Sequence, residues 1–102
     1  MYPTTEHILK RGDVLVSIDG FSGEENYMKL YEIMKSVLAP DEIDYSADSL
    51  GIGGFIRKDG LLLKSGSDCP WDCCCFMYDP RGLTDVEVNT IKDWITQIVN
   101  NL

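Results

Sequence analysis

Four cysteines lie close together in this 102-residue sequence, at Cys69, Cys73, Cys74 and Cys75. A zinc ion takes four ligands at the corners of a tetrahedron, and the usual sequence pattern supplies them as two separated pairs. Here the cysteines form one group, and an extended backbone would point Cys74 away from its two neighbours. At most three thiols therefore converge easily, and a metal site would need a fourth ligand from among His7, Asp68 and Asp72.

The same cysteines have little of what redox or nucleophilic chemistry requires. A redox pair is typically Cys-x-x-Cys at the start of a helix, where the helix dipole lowers the pKa of one thiol. The spacing from Cys69 to Cys73 is one residue longer, and the residues that follow favour a strand. A nucleophilic cysteine needs a base, and His7 is the single histidine in the sequence. We expect cysteines that act as small apolar side chains, with a metal-binding or thiol protein as an alternative.

Other patterns associated with catalysis are missing from the sequence. Gly51, Gly53 and Gly54 form a short glycine run, but no Lys-Ser or Lys-Thr pair directly follows it, as a phosphate-binding loop would require. There is no Gly-x-Ser-x-Gly segment for a nucleophilic serine. Nothing selects a catalytic pair from the 17 acidic residues. We predict that the protein is not an enzyme and has no cofactor.

Acidic residues gather in two segments that contain no Lys or Arg. The first holds Asp41, Glu42, Asp44 and Asp48, and the second holds Asp68, Asp72 and Asp79. Tyr45 interrupts the first acidic group and Trp71 the second, and large aromatic side chains among carboxylates suit an anchor on a basic protein surface. We therefore predict these partner-binding residues: Asp41, Glu42, Asp44, Tyr45, Asp48, Asp68, Trp71 and Asp72. A charged surface that serves only solubility is the alternative, and the acidic loop of a calcium site is absent.

The first half of the chain predicts a strand, a helix and a second, shorter strand. Residues 14–18 are mostly apolar and β-branched and lie between two turn signals, which predicts a strand. Ser22 and Glu25 have the spacing of a capping box, and the apolar positions that follow predict a helix over residues 23–38. Pro40 cannot continue this helix. A short strand is expected over residues 43–46, followed by a flexible crossing at residues 51–54.

The second half predicts a hairpin, a strand and a second helix. Residues 55–58 and 61–64 flank Asp59 and Gly60, a pair that favours a type I′ turn. The apolar run over residues 73–78 suits a strand at the centre of a sheet. Thr84 and Glu87 form a second capping-box pattern, followed by an apolar helical stripe over residues 91–102. We predict one α+β domain over residues 1–102, a two-layer sandwich in which two helices cover one face of an antiparallel or mixed sheet of four to five strands.

One segment resembles part of a known domain family. Residues 12–20, Gly-Asp-Val-Leu-Val-Ser-Ile-Asp-Gly, resemble a strand and turn of PDZ domains. In those domains the carboxylate-binding loop precedes this segment, whereas here a related Gly-Ile-Gly-Gly-Phe sequence follows it at residues 51–55. The resemblance therefore implies a strand and a turn, and no function.

Charge and hydropathy restrict the classes of partner. The chain has 9 basic and 17 acidic residues and a net charge of −8, so nucleic acid and anionic membranes should repel it. The longest apolar run has six residues, over 73–78, whereas a membrane-spanning helix needs about 20. The first residues show no secretory signal, so we expect a cytoplasmic protein.

These features favour a small acidic protein-binding module that inhibits or neutralises a basic protein partner. Acidic inhibitors and bacterial toxin-immunity proteins have this size and charge, and the partner would be a basic toxin or nuclease. Two other hypotheses stay open, a cysteine-centred metal-binding or thiol protein and a homodimeric structural or assembly module. The sequence does not define the oligomeric state.

Overall fold

In the computed structural model, which describes residues 2–49, 51–67 and 73–102, strands and helices alternate in an irregular order. The elements are β1 (Thr4–Ile8), β2 (Val14–Ile18), α1 (Glu24–Leu38), β3 (Glu42–Asp48), β4 (Gly51–Lys58), β5 (Leu61–Gly66), β6 (Cys75–Tyr78) and α2 (Asp85–Asn100). The predicted α+β class is confirmed. Neither helix in the described part of the chain has the length and apolar character needed to cross a lipid bilayer.

The strands form one sheet in the order β1-β2-β6-β5-β4-β3, with six strands in place of the four to five that we predicted. All five pairings between neighbouring strands are antiparallel, so the mixed-sheet alternative is wrong. The additional strand is β1, whose residues are mostly exposed and show no apolar alternation. Strand β6 lies between β2 and β5, which confirms the central position expected for the apolar run near residue 75.

The strand register assigns alternate residues to the two faces of the sheet. One row of paired residues crosses the helix-covered face from Val16 through Phe76, Ser65 and Gly54 to Tyr45. Both helices pack on this face in a single apolar cluster, and α1 also contacts α2. Burying such a cluster is the main favourable contribution to folding. We call the other side of the sheet the opposite face.

Local sequence determines how each helix begins and ends. Thr84 caps α2, because its hydroxyl accepts from the Glu87 N–H at 3.2 Å while the Glu87 carboxylate accepts from the Thr84 N–H at 2.9 Å. The predicted capping box of α1 does not form: Gly23 is the N-cap, with a φ of 93° and no side-chain hydrogen bond to the cap. Helix α1 ends at Leu38 as expected, and Ala39 adopts a left-handed conformation before Pro40.

The hairpin between β4 and β5 turns where the sequence predicted it. Asp59 and Gly60 have φ values of 53° and 79°, the positive values that a type I′ turn requires. The flexible crossing predicted at residues 51–54 is wrong, because these residues begin β4 and pair with β3. Gly54 faces the helix-covered side, where a Cβ atom would lie 2.4 Å from the Asp44 carbonyl oxygen and 2.6 Å from the Tyr27 hydroxyl. Strand β4 therefore needs glycine at this position for space.

Candidate protein-interaction site

The first predicted acidic segment forms an edge of the sheet. Strand β3 is the last strand in the sheet order and pairs with β4 on one side. Every residue of β3 is exposed except Ile43, which is half-buried against the apolar cluster. The predicted short strand at 43–46 is longer in the structure, because its pairing with β4 extends from Glu42 to Asp48. The acidic residues are thus carried on a regular strand and not on a loop.

Alternation along β3 separates its acidic and apolar side chains. The register places Glu42, Asp44 and Asp48 on the opposite face and Tyr45 on the helix-covered side. The Tyr45 ring contacts the Tyr31 ring of α1 edge-on, with centroids 4.8 Å apart, and Tyr45 remains 41% exposed. This contact orients the Tyr45 ring on the helix-covered side of the strand, while the three carboxylates project from its other side. We name Glu42, Asp44, Tyr45 and Asp48 the acidic edge.

The carboxylates of this region have different local partners. Glu42 Oε1 lies 3.3 Å from Arg57 Nε, and this ion pair is well exposed, so solvent screens it. Asp44 Oδ1 accepts a hydrogen bond from the Tyr45 backbone N–H at 2.8 Å. Asp41 Oδ2 accepts one from the Asp59 backbone N–H at 3.0 Å. The hydrogen bonds of Asp41 and Asp44 come from neutral amides, so they leave the negative charge of these carboxylates in place.

The negative charge of the acidic edge also affects the neighbouring tyrosine. The pKa of the Tyr31 hydroxyl is raised above its usual value, first by desolvation and then by the Asp44 carboxylate. A phenolate next to a carboxylate is disfavoured by like-charge repulsion. Tyr31 is therefore neutral in the physiological range and presents an apolar ring with a hydroxyl donor beside the acidic edge.

A shallow depression adjoins the acidic edge on the opposite face. It has a volume of about 310 Å³, and its lining includes Asp44, Phe55, Arg57, Leu62 and Lys64. A second depression, of about 340 Å³, shares Leu62 and Lys64 and continues towards β6. Two cations therefore lie one and two strands away from the acidic row. Negative charge is concentrated at the edge strand and does not cover the whole face.

Sequence reasoning missed this cationic and apolar surface. The Arg57 guanidinium carbon lies 5.7 Å from the centre of the Phe55 ring, within the range of a cation–π contact. A signal was present, because Phe55 and Leu62 stand next to the buried Ile56 and Leu63 in the two strands of the hairpin. Strands with apolar residues at consecutive positions place some of them on each face.

The second predicted acidic segment contributes less to the described structure. Asp68, Trp71 and Asp72 lie outside the described residues. Asp79 follows β6, three strands from β3, which corresponds to about 14 Å at the usual strand spacing. Its carboxylate contacts the Arg81 side chain at 2.8 and 3.1 Å, and these hydrogen bonds hold the pKa of Asp79 below its usual value. Asp79 is therefore engaged within the protein and remote from the acidic edge.

Three of the four cysteines lie at or just before the start of β6, in a buried part of the structure. Cys73, Cys74 and Cys75 are all buried, and Cys74 belongs to the apolar cluster, with its Sγ 3.9 Å from the Gly23 carbonyl oxygen. Cys69 lies outside the described residues. Within the described ranges, no group of three or more His, Cys, Asp or Glu side chains has the proximity to hold a metal ion. The burial of three thiols agrees with an apolar packing role.

Similarity to known proteins supplies no assignment. Comparison of the chain with protein-family models, with curated proteins and with solved structures gave no match in any of the three.

Proposed function

We propose that this protein is a binding module that neutralises a basic protein partner in the cytoplasm, with the acidic edge as its contact surface. One observation carries the proposal: three carboxylates stand on the same side of one exposed edge strand, and a partly exposed tyrosine that packs on Tyr31 stands on the other side of that strand. The net charge of −8 extends the attraction beyond the contact itself. A basic protein is the partner whose surface complements both features.

The two kinds of side chain act on different steps of binding. Carboxylates accelerate encounter through long-range attraction, which salt screens over about 10 Å at 0.1 M. An aromatic anchor such as Tyr45 slows dissociation, because burying its ring removes apolar area from water. The Tyr31 contact limits the rotamers of Tyr45 before binding, so less side-chain entropy is lost on association. Covering a cationic site that normally holds phosphate would inhibit a nuclease-type partner.

The test compares capture of partners by wild-type protein and by a charge-neutralised variant. We would immobilise wild type and the triple variant Glu42→Gln, Asp44→Asn, Asp48→Asn, and apply native cell extract at low salt. The wild type should retain a basic protein that elutes at high salt and loses its own activity when saturated with this chain. The triple variant should retain it at least about tenfold less tightly, as expected for loss of charge contacts worth 1.4 kcal/mol or more in total.

A matched control separates the acidic edge from net charge. The triple variant Glu6→Gln, Glu25→Gln, Asp93→Asn removes the same number of charges from exposed positions elsewhere and should lose much less binding than the β3 variant, namely only the part that net charge contributes. Equal loss of binding in both variants would reduce the effect to net charge. Unchanged binding in the β3 variant, or a partner that is not basic, would contradict the proposal.

A further inference from the structure

The acidic edge belongs to the last strand of the sheet, and among residues 2–49, 51–67 and 73–102 only β4 pairs with that strand, which determines how a partner can attach. We propose that an extended segment of the basic partner adds to β3 as a seventh strand, with side chains that alternate between basic and apolar. The inference rests on the proposed function and specifies its mode of contact. Strand addition uses backbone hydrogen bonds for affinity and alternate side chains for specificity.

The backbone of β3 has hydrogen-bonding groups directed away from the sheet. In an antiparallel pair, alternate residues direct both N–H and C=O towards the partner strand. The Tyr45 N–H donates to the Asp44 carboxylate, so Tyr45 belongs to the outward set. On β4, the Arg57 carbonyl accepts from Asp41 and the Ile52 carbonyl accepts from Ser67 after β5, which fits this alternation. The backbone N–H and C=O groups that point outward from this edge of the sheet are therefore those of Ile43, Tyr45 and Ala47.

The side chains of β3 define the pattern of the added strand. Glu42, Asp44 and Asp48 lie on the opposite face, so the residues beside them in an added strand would be Lys or Arg. Ile43 and Tyr45 lie on the helix-covered side, so the alternate residues of the partner would be apolar and would extend the existing cluster. A segment of alternating basic and apolar residues satisfies both faces together.

The same charges disfavour pairing of β3 with a second copy of itself. An antiparallel self-pair centred on Tyr45 would place Glu42 of each copy directly opposite Asp48 of the other. Like charges directly opposite one another destabilise a strand pair. Native sheets commonly protect exposed edges with charged residues in this way. The acidic edge thus disfavours this self-pairing and leaves a basic strand as the favoured occupant.

Asp44 also protects the edge before a partner arrives. Its carboxylate accepts a 2.8 Å hydrogen bond from the outward N–H of Tyr45. The carboxylate would have to rotate away before a carbonyl of the added strand could accept from that N–H. A lysine or arginine beside Asp44 would supply the carboxylate with a new hydrogen-bonding partner. The exchange therefore favours a basic strand over a neutral one at this position.

The first test uses two synthetic peptides that match the length of β3, which has seven residues. The probe alternates lysine and valine. Its control has the same sequence, with N-methyl groups on amides along both edges of the peptide strand. Charge and side chains are retained, while hydrogen bonding to a neighbouring strand is blocked. Fluorescence anisotropy at low salt should show that wild-type protein binds the unmethylated peptide at least about tenfold more tightly.

A second test changes the protein without altering its charge. The Ala47→Pro variant removes an outward N–H from an edge position where proline is tolerated, whereas Ala47→Val retains that donor. We expect Ala47→Pro to bind the unmethylated peptide about tenfold more weakly and Ala47→Val to bind it as wild type does. If Ala47→Pro does not fold, as judged by circular dichroism, the methylated peptide decides the question alone.

The outcomes separate this inference from the proposed function. Equal binding of both peptides to wild type, with loss of both in the Glu42→Gln, Asp44→Asn, Asp48→Asn variant, would overturn strand addition and leave charge-based binding standing. Unchanged binding of the unmethylated peptide by that variant would overturn the charge basis of the proposed function while strand addition stands. Absence of binding by either peptide would overturn the inference.

Discussion

Replacing Gly54 with alanine should destabilise the fold strongly for a single added methyl group. An ideal Cβ at this position lies 2.4 Å from the Asp44 carbonyl oxygen and 2.6 Å from the Tyr27 hydroxyl. Contacts of a Cβ below 3.0 Å are essentially never seen, so β3 and β4 must separate by at least 0.6 Å and the side chain of Tyr27 must also move. The first of these movements displaces the strand that carries the acidic edge.

The magnitude follows from three contributions. Overpacking costs about 1–3 kcal/mol. Displacement of the Tyr27 hydroxyl breaks its buried 2.9 Å hydrogen bond with the Ser65 hydroxyl, which adds about 1–3 kcal/mol. Alanine restricts the unfolded chain more than glycine does, and this stabilises the fold by about 0.4–1 kcal/mol. We expect the Gly54→Ala variant to lose about 2–4 kcal/mol in the free energy of unfolding, measured by urea denaturation with circular dichroism.

Gly53→Ala is the matched control on the same strand. A Cβ at residue 53 would lie 3.4 Å from the Ser65 carbonyl oxygen, which is an ordinary contact. The unfolding free energy of the Gly53→Ala variant should therefore stay within about 0.5 kcal/mol of wild type. In a Tyr27→Phe background, where the hydroxyl is absent, Gly54→Ala should cost at least about 1 kcal/mol less than in wild type. If Gly54→Ala and Gly53→Ala have equal stabilities, the steric explanation is wrong.

Further predictions concern the helix caps and the titration of two side chains. Thr84→Ala should lower the unfolding free energy by about 1 kcal/mol, whereas Ser22→Ala should change it by no more than a few tenths of a kcal/mol. Urea midpoints would measure both changes. Equal losses would mean that the capping box predicted for α1 does form. Arg81→Gln should raise the pKa of Asp79 towards its ordinary value in a carbon-detected NMR titration, because it removes the side-chain hydrogen bonds that lower this pKa. In the wild type, Asp79 stabilises the fold at neutral pH and loses that contribution as pH falls through its lowered pKa. Burial raises the pKa of Tyr27, so its contribution is complete below the unfolded pKa of about 10 and is lost as pH rises through the folded pKa. The urea midpoint of wild type should therefore fall more steeply above that pH than the midpoint of Tyr27→Phe, and parallel curves would contradict this.

Features with local causes could be predicted from the sequence. The turn at Asp59 and Gly60 and the cap of α2 depend on residues within three positions of one another, and both form as expected. The cap of α1 shows the limit of such reasoning. Ser22 and Glu25 have the required spacing, but Gly23 adopts a positive φ and takes the N-cap position. A competing backbone conformation one residue away decided the outcome.

Features that depend on distant partners could not be predicted. Strand β1 has no apolar periodicity and exists because its backbone pairs with β2. The glycines at 51–54 have low strand propensity, yet pairing with both β3 and β5 holds this segment in the sheet, and the space taken by Tyr27 requires Gly54. The acidic residues of the site were evident from composition. Their division between two sides of an edge strand required the order of the sheet.

The central place of β6 determines how the fold can assemble. Residues 17 and 75 pair across 58 positions of sequence, and among the strands of the described residues β6 alone joins the hairpin of β1 and β2 to the three-stranded unit of β3, β4 and β5. Closing so long a loop costs conformational entropy before its contacts form, which slows folding. The strand order implies that the sheet becomes continuous only once the residues of β6 have been synthesised and have paired on both sides. Cooperative unfolding of the whole sheet therefore depends on one strand of four residues, because loss of β6 would divide the sheet into two parts.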